Sequence, residues 1–101
     1  MLEKQVEEYL VLQCKKRKWL CYKFTSPNRR SVPDRLIVVY PAGHVAFVEV
    51  KRPGAKPTPK QQLEMTRLLN AGADVSYVDS KEGVDECILR LETINGILCD
   101  F

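Results

Sequence analysis

The chain has 101 residues, with 16 Lys+Arg against 13 Asp+Glu, a formal net charge of +3, 45% hydrophobic and 29% charged residues. That length suits one domain spanning residues 1–101, and the balance of residue types excludes disordered and collagen-like chains. The longest purely apolar run, Leu36 to Tyr40, is far short of the roughly 18 residues of a membrane span, and Glu3 and Lys4 stand where a signal peptide needs apolar residues, so an intracellular protein without a membrane partner is expected.

Leu2, Val6, Tyr9, Leu10 and Cys14 fall near i, i+3, i+4 spacing and predict an amphipathic helix over Glu3 to Arg17. Leu20 to Phe24 reads as a short aromatic-rich strand, followed by a polar, basic loop from Thr25 to Pro33. Two β-branched runs, Asp34 to Tyr40 and Val45 to Lys51, flank Pro41-Ala42-Gly43-His44, a hairpin signal. Beyond a Pro- and Lys-rich loop, Thr58-Pro59-Lys60-Gln61 opens a helix: Thr58 fits the N-cap, Pro59 the first turn and Gln61 the reciprocal capping position. That helix runs to about Asn70. Ala73 to Asp79 follows as a strand, and Lys81 to about Glu92 as a last helix with Val84, Cys87, Ile88 and Leu91 on one face. The order is α-β-β-β-α-β-α, which predicts an α/β fold with a mixed sheet flanked by helices.

Charge is uneven along this order. Residues 1–60 hold 13 Lys+Arg against 5 Asp+Glu, a net of +8, and residues 61–101 hold 3 against 8, a net of −5. A basic block of this size points to a polyanionic partner, although Lys15-Lys16-Arg17-Lys18 also suits a solvated helix C-terminus. Cys14, Cys21, Cys87 and Cys99 are irregularly spaced with no C-x₂-C pair, so they read as reduced thiols and not as a zinc site.

The chemistry concentrates at Pro33-Asp34, opening one strand of the hairpin, and Glu49-Val50-Lys51, closing the other. A hairpin closed about Ala42-Gly43 pairs Tyr40 with Val45, Leu36 with Glu49 and Asp34 with Lys51, which puts Asp34, Glu49 and Lys51 on one face. Asp34 and Glu49 are then diagonal neighbours with Cα atoms about 7–8 Å apart, close enough to converge on one divalent ion. A one-residue slip would divide the set between both faces. The competing explanation is an exposed edge with an ordinary Asp–Lys cross-strand pair.

Glu3 in an N-terminal helix, Val32-Pro33-Asp34, Glu49-Val50-Lys51-Arg52-Pro53-Gly54 and Thr58-Pro59-Lys60-Gln61, in this order over nearly the whole chain, resemble the VRR-NUC domain, a branch of the PD-(D/E)XK nucleases. The resemblance implies a restriction-endonuclease-like αβββαβ core and a Mg²⁺- or Mn²⁺-dependent endonuclease acting on DNA, with branched DNA such as Holliday junctions as substrate. Arg30-Ser31-Val32 stands where the family usually has a small residue before Pro-Asp. Carried onto this sequence, it makes Asp34 and Glu49 metal ligands with the Val50 carbonyl as a third, and makes Lys51 the group that orients water and stabilises charge on phosphate. It also brings Glu3 near the site, where a solvated first-turn acid is the other reading and Glu7 and Glu8 compete. Gln61 matches the family's helix glutamine, while the capping box accounts for it without chemistry.

Arg29, Arg30, Arg52, Lys56 and Lys60 are the candidate DNA-phosphate contacts, against a reading as solvated loop charge. Trp19, Tyr22 and Phe24 suit either base stacking or the core, with the core favoured, and His44 reads as a turn residue. The alternatives to junction cleavage are nicking, flap or restriction-like cleavage, or a DNA-binding module without catalysis. Two symmetric cuts by a chain with one site predict a C₂ homodimer, through exposed apolar residues of the first helix or the Ile97-Leu98-Cys99-Asp100-Phe101 tail. The family resemblance places the protein in the cytoplasm of a bacterial or phage-infected cell.

Overall fold

The computed structural model describes residues 1–100, and its elements run α1 (Glu3–Lys16), β1 (Leu20–Lys23), β2 (Arg35–Val39), β3 (His44–Val50), α2 (Pro59–Asn70), β4 (Asp74–Val78) and α3 (Lys81–Leu98). The sheet order is β1-β2-β3-β4. β1, β2 and β3 are antiparallel neighbours, and β4 joins β3 in parallel through the α2 crossover, giving the expected mixed sheet.

Alternation along the strands decides which face is covered. Ile37 and Val39 of β2 and Ala46, Val48 and Val50 of β3 are buried with Val6, Leu10 and Cys14 of α1 and Val84, Ile88 and Leu91 of α3. Leu36, Val38, Val45, Phe47 and Glu49 alternate to the other face, where Phe47 packs against Phe24 at 5.3 Å between ring centroids. Trp19 belongs to the core, as does Cys14, and the four cysteines are free thiols. α2 lies against β4. Its Thr58–Gln61 capping box is formed: the Gln61 N–H donates to Thr58 Oγ1 at 3.2 Å and the Thr58 N–H donates to Gln61 Oε1 at 2.9 Å.

The hairpin register differs from the sequence expectation by two residues. Val39 pairs with His44, Val38 with Val45 and Arg35 with Val48, so Asp34, immediately before β2, comes opposite Glu49 instead of Lys51. The expected pairing needed Pro41 opposite His44, and Pro41 has no N–H to give the ladder. The ladder instead stops at Val39–His44, and the Gly43 N–H, at φ +80°, closes the turn on the Val39 carbonyl at 2.7 Å. A shift of two keeps every side chain on its face, so the acids stay together. His44 is thereby the first residue of β3 and not a turn residue, its Nε2 2.6 Å from Asp74 Oδ2.

The last helix continues six residues beyond Glu92. Thr93-Ile94-Asn95-Gly96 carries weak helix formers that read as a stop. Asn95 is occupied elsewhere: its Oδ1 accepts from the Ala42 N–H and its Nδ2 donates to the Tyr40 carbonyl, both at 3.1 Å, tying α3 to the hairpin turn. Ile97 and Leu98, considered as part of a tail, are therefore the end of α3, and both are exposed. Phe101 lies outside the described residues.

Leu10 is fully buried between helix and sheet, whereas Leu89 on the outer side of α3 is 65% exposed. Leu10→Ala should lower unfolding free energy in urea by about 2–5 kcal/mol, and Leu89→Ala should change it by no more than about 0.5 kcal/mol.

Candidate active site

β3 is buried from both sides over its last three residues, Val48, Glu49 and Val50, and the middle one is an acid. Glu49 is only 2% exposed, and its Oε2 has no hydrogen-bond partner among the described residues. An isolated buried carboxylate is unfavourable unless it is paired, protonated or bound to a cation. Burial, and then the Asp34 carboxyl beside it, push Glu49 up to about 8; Lys51 opposes the rise and Glu3 adds to it. The same influences locate the set, since Asp34, Lys51 and Glu3 all act on Glu49.

Asp34 owes its position to the hairpin. The Val50 N–H donates to Asp34 Oδ2 at 2.9 Å, and the Asp34 carbonyl accepts from the Phe24 N–H at 2.8 Å, so β3 and the residue that follows β1 fix it from both sides. Lys51 leaves β3 with its N–H on the Val78 carbonyl at 2.8 Å. Two residues beyond Glu49, it keeps the same side of the strand.

The helix acids separate clearly. Glu7 Oε2 accepts from Arg35 Nε at 2.8 Å and lies 4.0 Å from Lys23 Nζ, so its charge is committed to holding α1 on the sheet. Glu8 is exposed and 4.0 Å from Lys4 Nζ. Glu3, at the exposed start of α1, is the helix acid whose charge reaches Glu49. Gln61 has its Oε1 engaged in the α2 cap.

Of the candidate phosphate contacts, Arg29 is held by Glu64, its Nε donating to both carboxylate oxygens at 2.7 and 2.9 Å. Among the described residues, Arg30, Lys51, Arg52, Lys56 and Lys60 form no ion pair. Arg52 and Lys56 are exposed on the loop after β3, which turns at Gly54 (φ +81°) and is pinned where the Gly54 N–H donates to Asp79 Oδ2 at 3.2 Å. Arg29, Arg30 and Lys60 line one cleft of about 250 Å³ with Arg67 and Glu64 of α2. Sequence reasoning missed Glu64 and Arg67, although Lys60, Glu64 and Arg67 at i, i+4, i+7 form one stripe of α2. A larger cavity of about 410 Å³, between β4 and α3, has Arg90 in its lining. That guanidinium is engaged bidentately by Asp74, which it helps hold below the usual carboxylate range, so this cavity's cation is structural.

Among the described residues, no three or more His, Cys, Asp or Glu side chains form a group able to hold a metal ion. The oxygen set of Asp34, Glu49 and the Val50 carbonyl nevertheless suits Mg²⁺, which takes one or two carboxylates and keeps water or phosphate for its other positions. The unpartnered Glu49 Oε2 meets the same requirement.

No family model matches the chain. Over 80 residues, 79% of this chain and 85% of the other, it is 46% identical to "Putative nuclease p44" of Acyrthosiphon pisum secondary endosymbiont phage 1. It is also similar to a solved structure described as a VRR_NUC domain, with a TM-score of 0.80 and 34% identity, covering 85% of this chain and 92% of that one. The likeness shows the restriction-endonuclease-like core expected from the sequence.

Between the ordinary value of 4.5 and about 8, the folded chain carries at Glu49 a proton that the unfolded chain has lost. The stability contributed there is full below about pH 4.5 and declines as pH rises through about 8. Glu49→Gln should therefore gain roughly 1–3 kcal/mol on the wild type between about pH 5 and 9 in metal-free urea unfolding. A constant difference across that range would place the Glu49 proton elsewhere.

Proposed function

Because the chain belongs to the VRR-NUC family of nucleases within the PD-(D/E)XK superfamily, we propose that it is a Mg²⁺- or Mn²⁺-dependent DNA endonuclease with Asp34, Glu49 and Lys51 as its catalytic set. The observation that carries this is the buried Glu49 carboxyl, its Oε2 without a partner among the described residues, held against Asp34 at the ends of two paired strands. A sheet designed only for stability would place an apolar residue there, as it does at Val48 and Val50.

Asp34, Glu49 and the Val50 carbonyl would hold the ion, which when bound polarises the phosphodiester and makes its water nucleophilic at neutral pH. The Val50 N–H fixes the Asp34 carboxylate, which leaves its other oxygen free of that bond. Lys51, on the face of Glu49, orients the attacking water and stabilises the negative charge that grows on the phosphate. Glu3 assists from α1, its acidity adding to the negative field at Glu49. Gln61 serves the helix cap and in this reading keeps α2 in place beside the site. Arg29, Arg30, Arg52, Lys56 and Lys60 take the DNA backbone, from the loops that flank the two strands bearing the acids and from the first turn of α2.

The preferred substrate is a branched or four-way DNA, cut by a homodimer so that two equivalent sites meet two strands. The proposed setting is the cytoplasm of a bacterial or phage-infected cell, where such DNA is found; among the described residues, no helix is long and apolar enough to cross a membrane.

A labelled four-way junction, duplex and single strand, each incubated with Mg²⁺, Mn²⁺ or EDTA, test this reading. Cleavage should require the metal and favour the junction, and absence of products with either metal would contradict it. Asp34→Asn and Lys51→Ala should each lower the cleavage rate at least ~10²-fold, in keeping with loss of a charge-stabilising group, while leaving the unfolding transition in place. A light-scattering mass of one chain at working concentration would remove the dimer.

A further inference from the structure

Glu64 is the buried residue of α2, at 8% exposure, while the neighbouring Leu63 is 66% exposed. A helix positioned by hydrophobic burial alone would turn Leu63 inward and Glu64 outward. Burying the acid is favourable only with close cationic partners. Arg29 supplies one from the loop before Asp34, through two hydrogen bonds, and Arg67 Nε stands 4.0 Å from Glu64 Oε1 on the same helix. Both contacts use Nε. The terminal amino groups of the two guanidiniums stay available, on side chains 45% and 61% exposed.

Arg30 and Lys60 also line this cleft, so four cations and one carboxylate share it. The charge left over is positive, and the volume of about 250 Å³ admits a small anionic group. The cleft is also close to the acids: the three Cα-to-Cα steps from Ser31 to Asp34 span at most about 11 Å. Along a DNA strand, at 3.4 Å per nucleotide, that corresponds to about three nucleotides.

We propose that this cleft is a second phosphate site, in which Arg29, Arg30, Lys60 and Arg67 hold an unreacting phosphodiester of the substrate strand and Glu64 is the positioning residue that aims Arg29 and Arg67. The site rests on the nuclease reading for its ligand, and adds to that reading the point at which the strand is gripped away from the bond that is cut. Glu64 acts by orientation, against its own charge. Its carboxylate weakens the attraction of the cleft for any anion, so its presence is useful only if the geometry it imposes outweighs the charge it cancels.

That opposition gives a test whose sign is diagnostic. Binding of a labelled four-way DNA is measured by fluorescence anisotropy in EDTA, over a salt series, for wild type, Arg67→Ala and Glu64→Gln. Arg67→Ala should bind roughly 5–10-fold more weakly, with the slope of log affinity on log salt shallower by about 0.9, the value of one phosphate contact. Glu64→Gln should also bind more weakly, by about threefold or more, although it adds a net positive charge. Tighter binding by Glu64→Gln would overturn the positioning role, and wild-type affinity and slope in Arg67→Ala would overturn the site. Arg67 is exposed, so its variant reads the site even where Glu64→Gln loses the fold. The measurement needs no cleavage, so its outcome is separate from that of the metal-dependent cleavage assay. Intact cleavage with unaffected binding in Arg67→Ala removes only the second site, and the predicted binding losses without cleavage by the wild type remove only the nuclease chemistry.

Discussion

The pairing of β2 with β3 governs everything at the carboxylate site, because a slip of one residue would turn Glu49 from the side of Asp34 into the face packed by α1 and α3. Several contacts resist that slip. Ile37, Val39, Ala46, Val48 and Val50 are buried on one face, and no register displaced by one residue buries them together. Asn95 of α3 holds both sides of the hairpin turn, and Asp34 accepts the Val50 N–H across the strand ends. The hydrophobic face of the hairpin thus fixes the polar set on its reverse, and the core contributes to function by excluding other registers.

The same pairing brings an energetic conflict. Asp34 and Glu49 face each other, and the sheet removes Glu49 from water, so its proton is held up to about 8. Lys51 relieves the conflict only in part. A divalent cation bound there would relieve it further, since its charge would reverse the balance that keeps the proton on Glu49. Such local conflict suits a binding site for a small, strongly charged ion, and the principal ion pairs among the described residues lack it. Glu7 with Arg35, Asp74 with Arg90 and Glu64 with Arg29 each match an acid to a base at 2.7–2.8 Å.

Much of this was legible from the order of residues. Period-two alternation and turn chemistry located all four strands to within about two residues, and Thr58-Pro59-x-Gln61 marked the start of α2 by its cap. The face shared by Asp34, Glu49 and Lys51 followed from alternation alone, and survived a register error of two because the period of a strand is two. What escaped depended on contacts distant in sequence. The end of α3 was hidden because Asn95 serves the hairpin turn 53 residues away. The burial of Glu64 was hidden because its partner, Arg29, lies 35 residues earlier in a loop. The engagement of Glu7 by Arg35, 28 residues later, was hidden for the same reason.

If Asp34 and Glu49 together form a divalent-cation site, each should be needed for the ion to bind. Calorimetric titration of Mn²⁺ into metal-free protein, wild type beside Glu49→Gln and Asp34→Asn, tests it most directly. The wild type should bind saturably, and either substitution should weaken binding at least ~10-fold, as expected when an ionised ligand is lost from a small site. Equal affinity in all three proteins would contradict it.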